Sequence, residues 1–140
     1  MRLLITTPGA IVADVAGVAA VRAEDDSGEF GVLPHHADFV TVLATSVVGW
    51  RRADGAQGYC AVRGGLLTVT GGRDVAVATR EAIVGDDLAA LEGEVRGRLA
   101  EEAQAQRQAR ARAEQLRIQA IRQIIGYLRP ERPGEGRDRR

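Results

Sequence analysis

Between Gly97 and Gly126 the chain carries neither glycine nor proline, whereas residues 1 to about 84 are broken by turn residues roughly every ten positions. A short-strand rhythm and an uninterrupted run of helix formers cannot belong to one layer, so the chain must change architecture near residue 85. The first part reads as strands. Leu3 to Thr7, Ile11 to Val15 and Val18 to Ala23 are apolar or β-branched runs separated by Pro8-Gly9 and Gly17. Phe39 to Leu43 is followed by Val47 to Arg52, then by the hairpin signal Asp54-Gly55 and the run Gly58 to Val62. Gly64-Gly65 and Gly71-Gly72 bracket Leu66 to Thr70, and Asp74 to Thr79 follows. Val75 and Val77 alternate with Ala76 and Ala78, as a half-buried strand requires. These runs predict an antiparallel β-sandwich over residues 1–84.

A core for that sandwich is affordable in a chain of 140 residues with 45% apolar content, but with aromatics at 4% it must be built from Val, Leu, Ile and Ala. Formal net charge is zero, which gives the molecule no overall attraction to nucleic acid or acidic lipid. All 19 basic residues are Arg, which is read as codon choice in a GC-rich genome rather than special guanidinium chemistry, although Arg is the better residue for interface ion pairs. Cys60, the one cysteine, rules out an internal disulfide and reads as a small buried hydrophobe. No stretch resembles a signal peptide or approaches the roughly 20 apolar residues of a membrane span, so a soluble or peripheral protein of a reducing cytoplasm is expected.

From residue 85 to 129 the expectation is helix, as one long element or as a two-helix hairpin. Asp86-Asp87 can cap its start. A single helix from Asp87 to Leu128 would reach about 60 Å. Leu88, Leu91, Val95 and Leu99 form one apolar stripe, and Leu116, Ala120, Ile124 and Leu128 a second, with Ile121 and Ile125 beside it. Gln104 to Arg112 between them has no large apolar residue. Acids Asp86, Asp87, Glu92, Glu94, Glu101 and Glu102 dominate the first half, while the second half carries arginines against Glu114 alone. The two halves would complement each other in a hairpin or offer a basic tip to an acidic partner, although acids early and bases late also suit the helix dipole. Residues 130–140, rich in Gly, Pro and charge, are expected to be disordered.

Residues 25–41 form the least ordinary stretch, an acidic turn, a short apolar strand and a loop in which Pro34 forces Leu33 out of the α region. His35, His36 and Asp38 lack a second cluster at ligand spacing, so no metal site is expected. Asp25, Asp26 and Glu29 have nothing apolar around them to raise a pKa and read as a solvated turn; no catalytic residue and no cofactor is expected. The Gly-Gly pairs do not open helices and are turns rather than phosphate cradles.

The run Ser27-Gly28-Glu29-Phe30-Gly31-Val32-Leu33-Pro34-His35-His36-Ala37 resembles the Gly-Glu-x-Gly-Ile-Leu-Pro-Gly-His-Ala signature of the epsilon subunits of bacterial F-type ATP synthases. Gly64-Gly65-Leu66-Leu67-Thr68-Val69 is similar to that family's second signature, Gly-Gly-x-x-x-Val. The chain departs from the first at His35, where the family usually has Gly, and at Asp38, where it often has Pro. The resemblance extends along the whole chain, since the family joins an N-terminal β-sandwich to helical sequence.

That resemblance implies a non-catalytic rotor subunit of the central stalk, at the cytoplasmic face of a bacterial membrane, which couples rotation of the c-subunit ring to the catalytic head. The gamma subunit would hold the sandwich. Glu29 and His36, with Phe30, His35 and Asp38 beside them, map onto the loop that meets the c-subunit ring; the lesser alternative is that Glu29 and His36 only tie the loop to itself. The family's helical region can extend to the alpha and beta subunits and inhibit hydrolysis, and Arg107, Arg110, Arg112, Arg117 and Arg122 are the basic residues placed for that. In a motif through which some members bind ATP, this chain keeps Asp86 and Ala90 but has Ala89 in place of Arg, which counts against ATP binding of that kind. His36 to Leu43 with Val47-Val48-Gly49-Trp50-Arg51 resembles the alternate, sodium-linked subgroup. The resemblance gives no nucleic-acid partner, and membrane association only through the complex. From the residues alone the rival reading is a free-standing binding module whose helix dimerises, against which the polar middle of the helix argues.

Overall fold

In the computed structural model, which describes residues 1–128, Pro8-Gly9, Gly17, Asp54-Gly55, Gly64 and Gly71-Gly72 fall between or at the ends of strands, as the turn chemistry requires. The strands are β1 (Arg2–Thr7), β2 (Ala10–Val15), β3 (Val18–Asp25), β4 (Gly28–Val32), β5 (Phe39–Leu43), β6 (Ser46–Arg52), β7 (Gln57–Val62), β8 (Gly65–Thr70), β9 (Asp74–Ala78) and β10 (Ala82–Gly85), followed by one helix, α1 (Leu88–Leu128). They hydrogen-bond in the order β10-β7-β6-β3-β5-β8-β9-β1-β2, with β4 on β3, so one long sheet folds over on itself as a barrel-like sandwich. The pairings are antiparallel except that of β1 with β9, which is parallel. The expected order of β-sandwich then helix is the fold. The short closing strand β10 beside β7 is an element that the sequence pattern did not single out.

Register explains the core. Leu67 pairs with Val77 and Val69 with Val75, while Leu3 and Ile5 of β1 pair with the same two valines from the other side. All six are at most 1% exposed, so a slip of one residue in any of these strands would turn its buried residues to water. In the other half, an irregularity in β3 between Val18 and Ala20 keeps Val18, Val21 and Ala23 all inward. Trp50 and Cys60 join the aliphatic core that composition foretold. Gly58 faces Trp50, and a Cβ there would stand 2.4 Å from the indole Cζ2, so only glycine fits.

Asp87 caps α1, accepting the Ala89 N–H at 3.0 Å. Of the two alternatives left open by the sequence, the described residues form a single uninterrupted helix of 41 residues. The first apolar stripe is shallower than its spacing suggests. Leu91 is buried and Val95 half-buried, but Leu88 and Leu99 remain exposed and line an open groove with Arg22 and Tyr59. Two compact units result, Met1–Glu101 and the chain from Glu102 on. The expected disordered tail, residues 130–140, lies outside the described residues.

Candidate functional site

The β4–β5 connection, Leu33 to Asp38, is short and contains Pro34, and its conformation is set by contacts far away in sequence. The His35 N–H donates to the Gly72 carbonyl at 2.9 Å, and Asp38 Oδ1 accepts the Gly71 N–H at 2.8 Å. The loop is thereby stapled to the β8–β9 turn. Within it the His36 N–H donates to the Leu33 carbonyl at 3.1 Å, closing a tight turn in which His35 adopts φ +69°. This left-handed backbone is the physical reason glycine suits the position in the motif that the loop resembles.

Side chains then divide between the two sides of the loop. His36 stacks edge-on against Phe39, ring centroids 5.7 Å apart, and Phe39 against Phe30 at 5.8 Å, so Phe30, His36 and Phe39 form one aromatic cluster on the sandwich rim. The His36 ring also hydrogen-bonds the Ala37 carbonyl through Nδ1 at 2.7 Å. Leu33, His35 and Asp38 are exposed. Of the five residues mapped onto this loop, Phe30, His35, His36 and Asp38 share one end of the sandwich. Glu29 does not join them. It alternates with Phe30 along β4, and where Phe30 packs toward the core, Glu29 turns to the other face and lines a groove of about 500 Å³ with Arg22, Tyr59 and the start of α1.

The acidic turn below is a structural device. Asp25 accepts hydrogen bonds from the Ser27 backbone and hydroxyl and from the Thr41 hydroxyl, the last at 2.7 Å, so it ties the β3–β4 turn to β5. These donors, Ser27 first, hold its carboxyl below the usual carboxylate range, the opposite of what a general acid needs. Burial pushes the Cys60 thiol up to about 11, leaving it unreactive at neutral pH. Among the described residues no group of His, Cys, Asp and Glu is placed to hold a metal ion. No helix there is long and apolar enough to cross a membrane.

On α1 all five candidate arginines are exposed. At about 100° per residue, Arg107, Arg110, Arg117 and Arg122 share a face with Ile118, Ile121 and Ile125, while Arg112 falls on the other side. Arg107 also bonds Gln104 at 2.8 Å.

A further surface emerges only from the register. Val42 of β5 lies opposite Leu66 of β8, which lies opposite Ala78 of β9, and Val40 lies on the same outer face two residues on. Val40, Val42 and Leu66 are 61%, 69% and 44% exposed, an apolar patch on a sheet face that water alone does not favour. The signal was present in Phe39 to Leu43, a strand with apolar residues on both faces, but which face lay outward was not readable without the pairing.

Comparison with known proteins follows the same lines. Residues 1–85 match the family model of the ATP synthase delta/epsilon chain β-sandwich domain. Over 132 residues the chain is 43% identical to the ATP synthase epsilon chain 2 of Paraburkholderia xenovorans, across 94% of this chain and 95% of the relative. It is 45% identical over 128 residues to the ATP synthase epsilon chain 2 of Cereibacter sphaeroides, across 91% and 88%. Among solved structures, a chain of the Euglena gracilis mitochondrial ATP synthase, in an assembly of OSCP, F1 and c-ring, superposes with TM-score 0.58 at 27% identity. That match covers 74% of this chain and 62% of the other. A chain from the central stalk and c-ring of the Tetrahymena thermophila enzyme shares the fold, with TM-score 0.51 at 15% identity over 59% of this chain and 65% of the other. With a β-sandwich matched over its whole length and relatives aligned through the helix, the chain belongs to the epsilon-subunit family of F-type ATP synthases.

Proposed function

We propose that this chain is a non-catalytic subunit of the central stalk, held on the gamma subunit and resting on the c-subunit ring, so that ring rotation is passed to the catalytic head. The observation that carries this reading is the Leu33–Asp38 loop. Stapled at His35 and Asp38 to the β8–β9 turn, it presents Leu33, His35 and the rim of the aromatic cluster on a rigid backbone, as a contact that must bear torque requires. His35, His36, Phe30 and Asp38 are the residues we assign to the ring contact, with Glu29 on a separate face. The Val40, Val42 and Leu66 patch is the face we assign to the gamma subunit, because it is apolar, exposed and carried on the neighbouring strands β5 and β8.

The helical region adds a second role. Arg107, Arg110, Arg117 and Arg122, sharing a face with Ile118, Ile121 and Ile125, suit an acidic, partly apolar surface of the alpha and beta subunits, and their engagement there would restrain hydrolysis. Localisation is then peripheral, at the cytoplasmic face of the bacterial membrane and through the complex alone. The Paraburkholderia and Cereibacter relatives carry the numeral 2 in their names, which fits a second enzyme beside a housekeeping one, and the resemblance of His36 to Leu43 with Val47 to Arg51 is what favours the sodium-linked subgroup.

The test is co-purification of the tagged chain from its own membranes, with ATPase assay of the recovered complex. Recovery of alpha, beta, gamma and c subunits is expected, with hydrolysis rising when the residues after Glu101 are deleted and depending on sodium. Recovery of the chain alone or as a homodimer would overturn the reading in favour of a free-standing binding module.

A further inference from the structure

Two glycines stand inside strands where the fold does not ask for them. Gly31 of β4 and Gly49 of β6 flank Arg22 of β3 in one cross-strand row. Neither has the left-handed backbone that favours glycine. A Cβ on Gly31 would meet nothing nearer than the Val21 carbonyl, at 3.8 Å, and one on Gly49 would make ordinary contact with the Tyr59 ring, at 3.4 Å. Glycine weakens a strand, and one common reason for its presence there is the close approach of another backbone.

The next row on the same outer face is Ala20, Arg51 and Gln57. Together the two rows floor an open groove of about 480 Å³. Exposed Leu33 bounds it on the β4 side. On the β7 side it is bounded by Tyr59, whose hydroxyl donates to Gln57 Oε1 at 3.1 Å. No described carboxylate lines it. Arg22 and Arg51 are exposed, and among the described residues neither stands in an ion pair. Arg22 also borders the separate groove that holds Glu29, without pairing there.

We propose that this groove docks an extended, acidic segment of a partner protein, its backbone passing over Gly31, Ala20 and Gly49 and its carboxylates pairing with Arg22 and Arg51. A helix would bring side chains and not backbone to the floor, so the glycines select an extended chain. The two guanidiniums, with no acid beside them in the groove, select negative charge, and each offers paired N–H donors that match a carboxylate. Strands β3, β4, β6 and β7 carry this surface, whereas the Val40, Val42 and Leu66 patch is on β5 and β8. The inference therefore stands whether or not the central-stalk reading does.

Titration of the 15N-labelled full chain with the synthetic peptide acetyl-Thr-Glu-Val-Glu-Val-Glu-Thr-amide, followed by NMR, tests it. The amides of Gly31 and Gly49 and the indole N–H of Trp50, which also lines the groove, are expected to shift together, while Val40, Val42 and Leu66 stay in place. Arg22→Gln and Arg51→Gln should each weaken binding about threefold or more, as loss of one exposed ion pair predicts. Gly31→Val puts a strand-favouring residue on an ordinary strand backbone, so the fold should be kept or stabilised while the filled floor weakens binding about tenfold or more. The peptide with Gln in place of each Glu should fail to bind. Absence of shifts at the groove, unchanged affinity in the two arginine variants or in Gly31→Val, or equal displacement of the peptide by inorganic pyrophosphate would each overturn the proposal.

Discussion

Gly72 lies so close beneath His35 that a Cβ on it would stand 2.7 Å from the His35 Cα, and its carbonyl accepts the His35 N–H at 2.9 Å. Two residues 37 positions apart thus define one backbone contact, and each is in the left-handed region, φ +66° and +69°. Gly72→Ala is expected to destabilise the chain by about 2–3 kcal/mol, since steric conflict with backbone adds to the cost of left-handed φ. His35→Gly should instead stabilise by about 0.5 kcal/mol, the relieved strain being partly offset by greater freedom in the unfolded chain. Urea denaturation of the two variants decides both signs.

Asp38 supplies the other half of the staple. Asp38→Ala leaves the Gly71 N–H without its acceptor at an exposed position, so a loss of about 1 kcal/mol is expected. A c-ring binding defect larger than this stability loss explains would support the ring-contact assignment. A variant that binds normally would remove Asp38 from it.

Cys60 makes stability fall in alkali. Burial raises its folded pKa from 9.0 to about 11, so the thiol's contribution is complete below about 9 and is lost as pH rises through about 11. The expected loss between those limits is on the order of 2 kcal/mol, and Cys60→Val should abolish that part of the pH dependence. Chemical denaturation at pH 8 and pH 10.5 measures it. Asp25 acts at the other extreme. Its folded pKa is depressed, so what its bonds to Ser27 and Thr41 contribute is present above the unfolded value near 3.8 and disappears as pH falls through the lower folded value.

Val42→Asp and Leu66→Asp alter exposed side chains on the outer sheet face and should change folding stability by less than about 0.5 kcal/mol. If this face meets the gamma subunit, each should weaken capture of gamma by about tenfold or more, because a charge would be buried without a partner. Unchanged capture would free the patch from that role.

Much of the strand pattern was legible because turn chemistry is local. Pro8-Gly9, Asp54-Gly55 and Gly71-Gly72 specify chain reversals by the φ values they permit, whatever lies around them. Strand β10 is not legible in the sequence because Ala82–Gly85 is four residues long and is a strand only by pairing with β7. The mapped loop residues were a set in sequence but not in space. Glu29 and Phe30 are adjacent, and period-two alternation alone sends them to opposite faces of β4.

By itself the sequence determined the two grammars and their junction, the aliphatic core, the cap at Asp87 and the motif residues, all of which follow from local propensity and periodicity. The tertiary structure alone decided that the Leu33–Asp38 loop is pinned to Gly71 and Gly72, that Val40 and Val42 face outward, and that α1 is buried at Leu91 and exposed from Ala103 to Leu128. Such contacts join residues tens of positions apart, and their energies depend on register and distance, which no local pattern encodes.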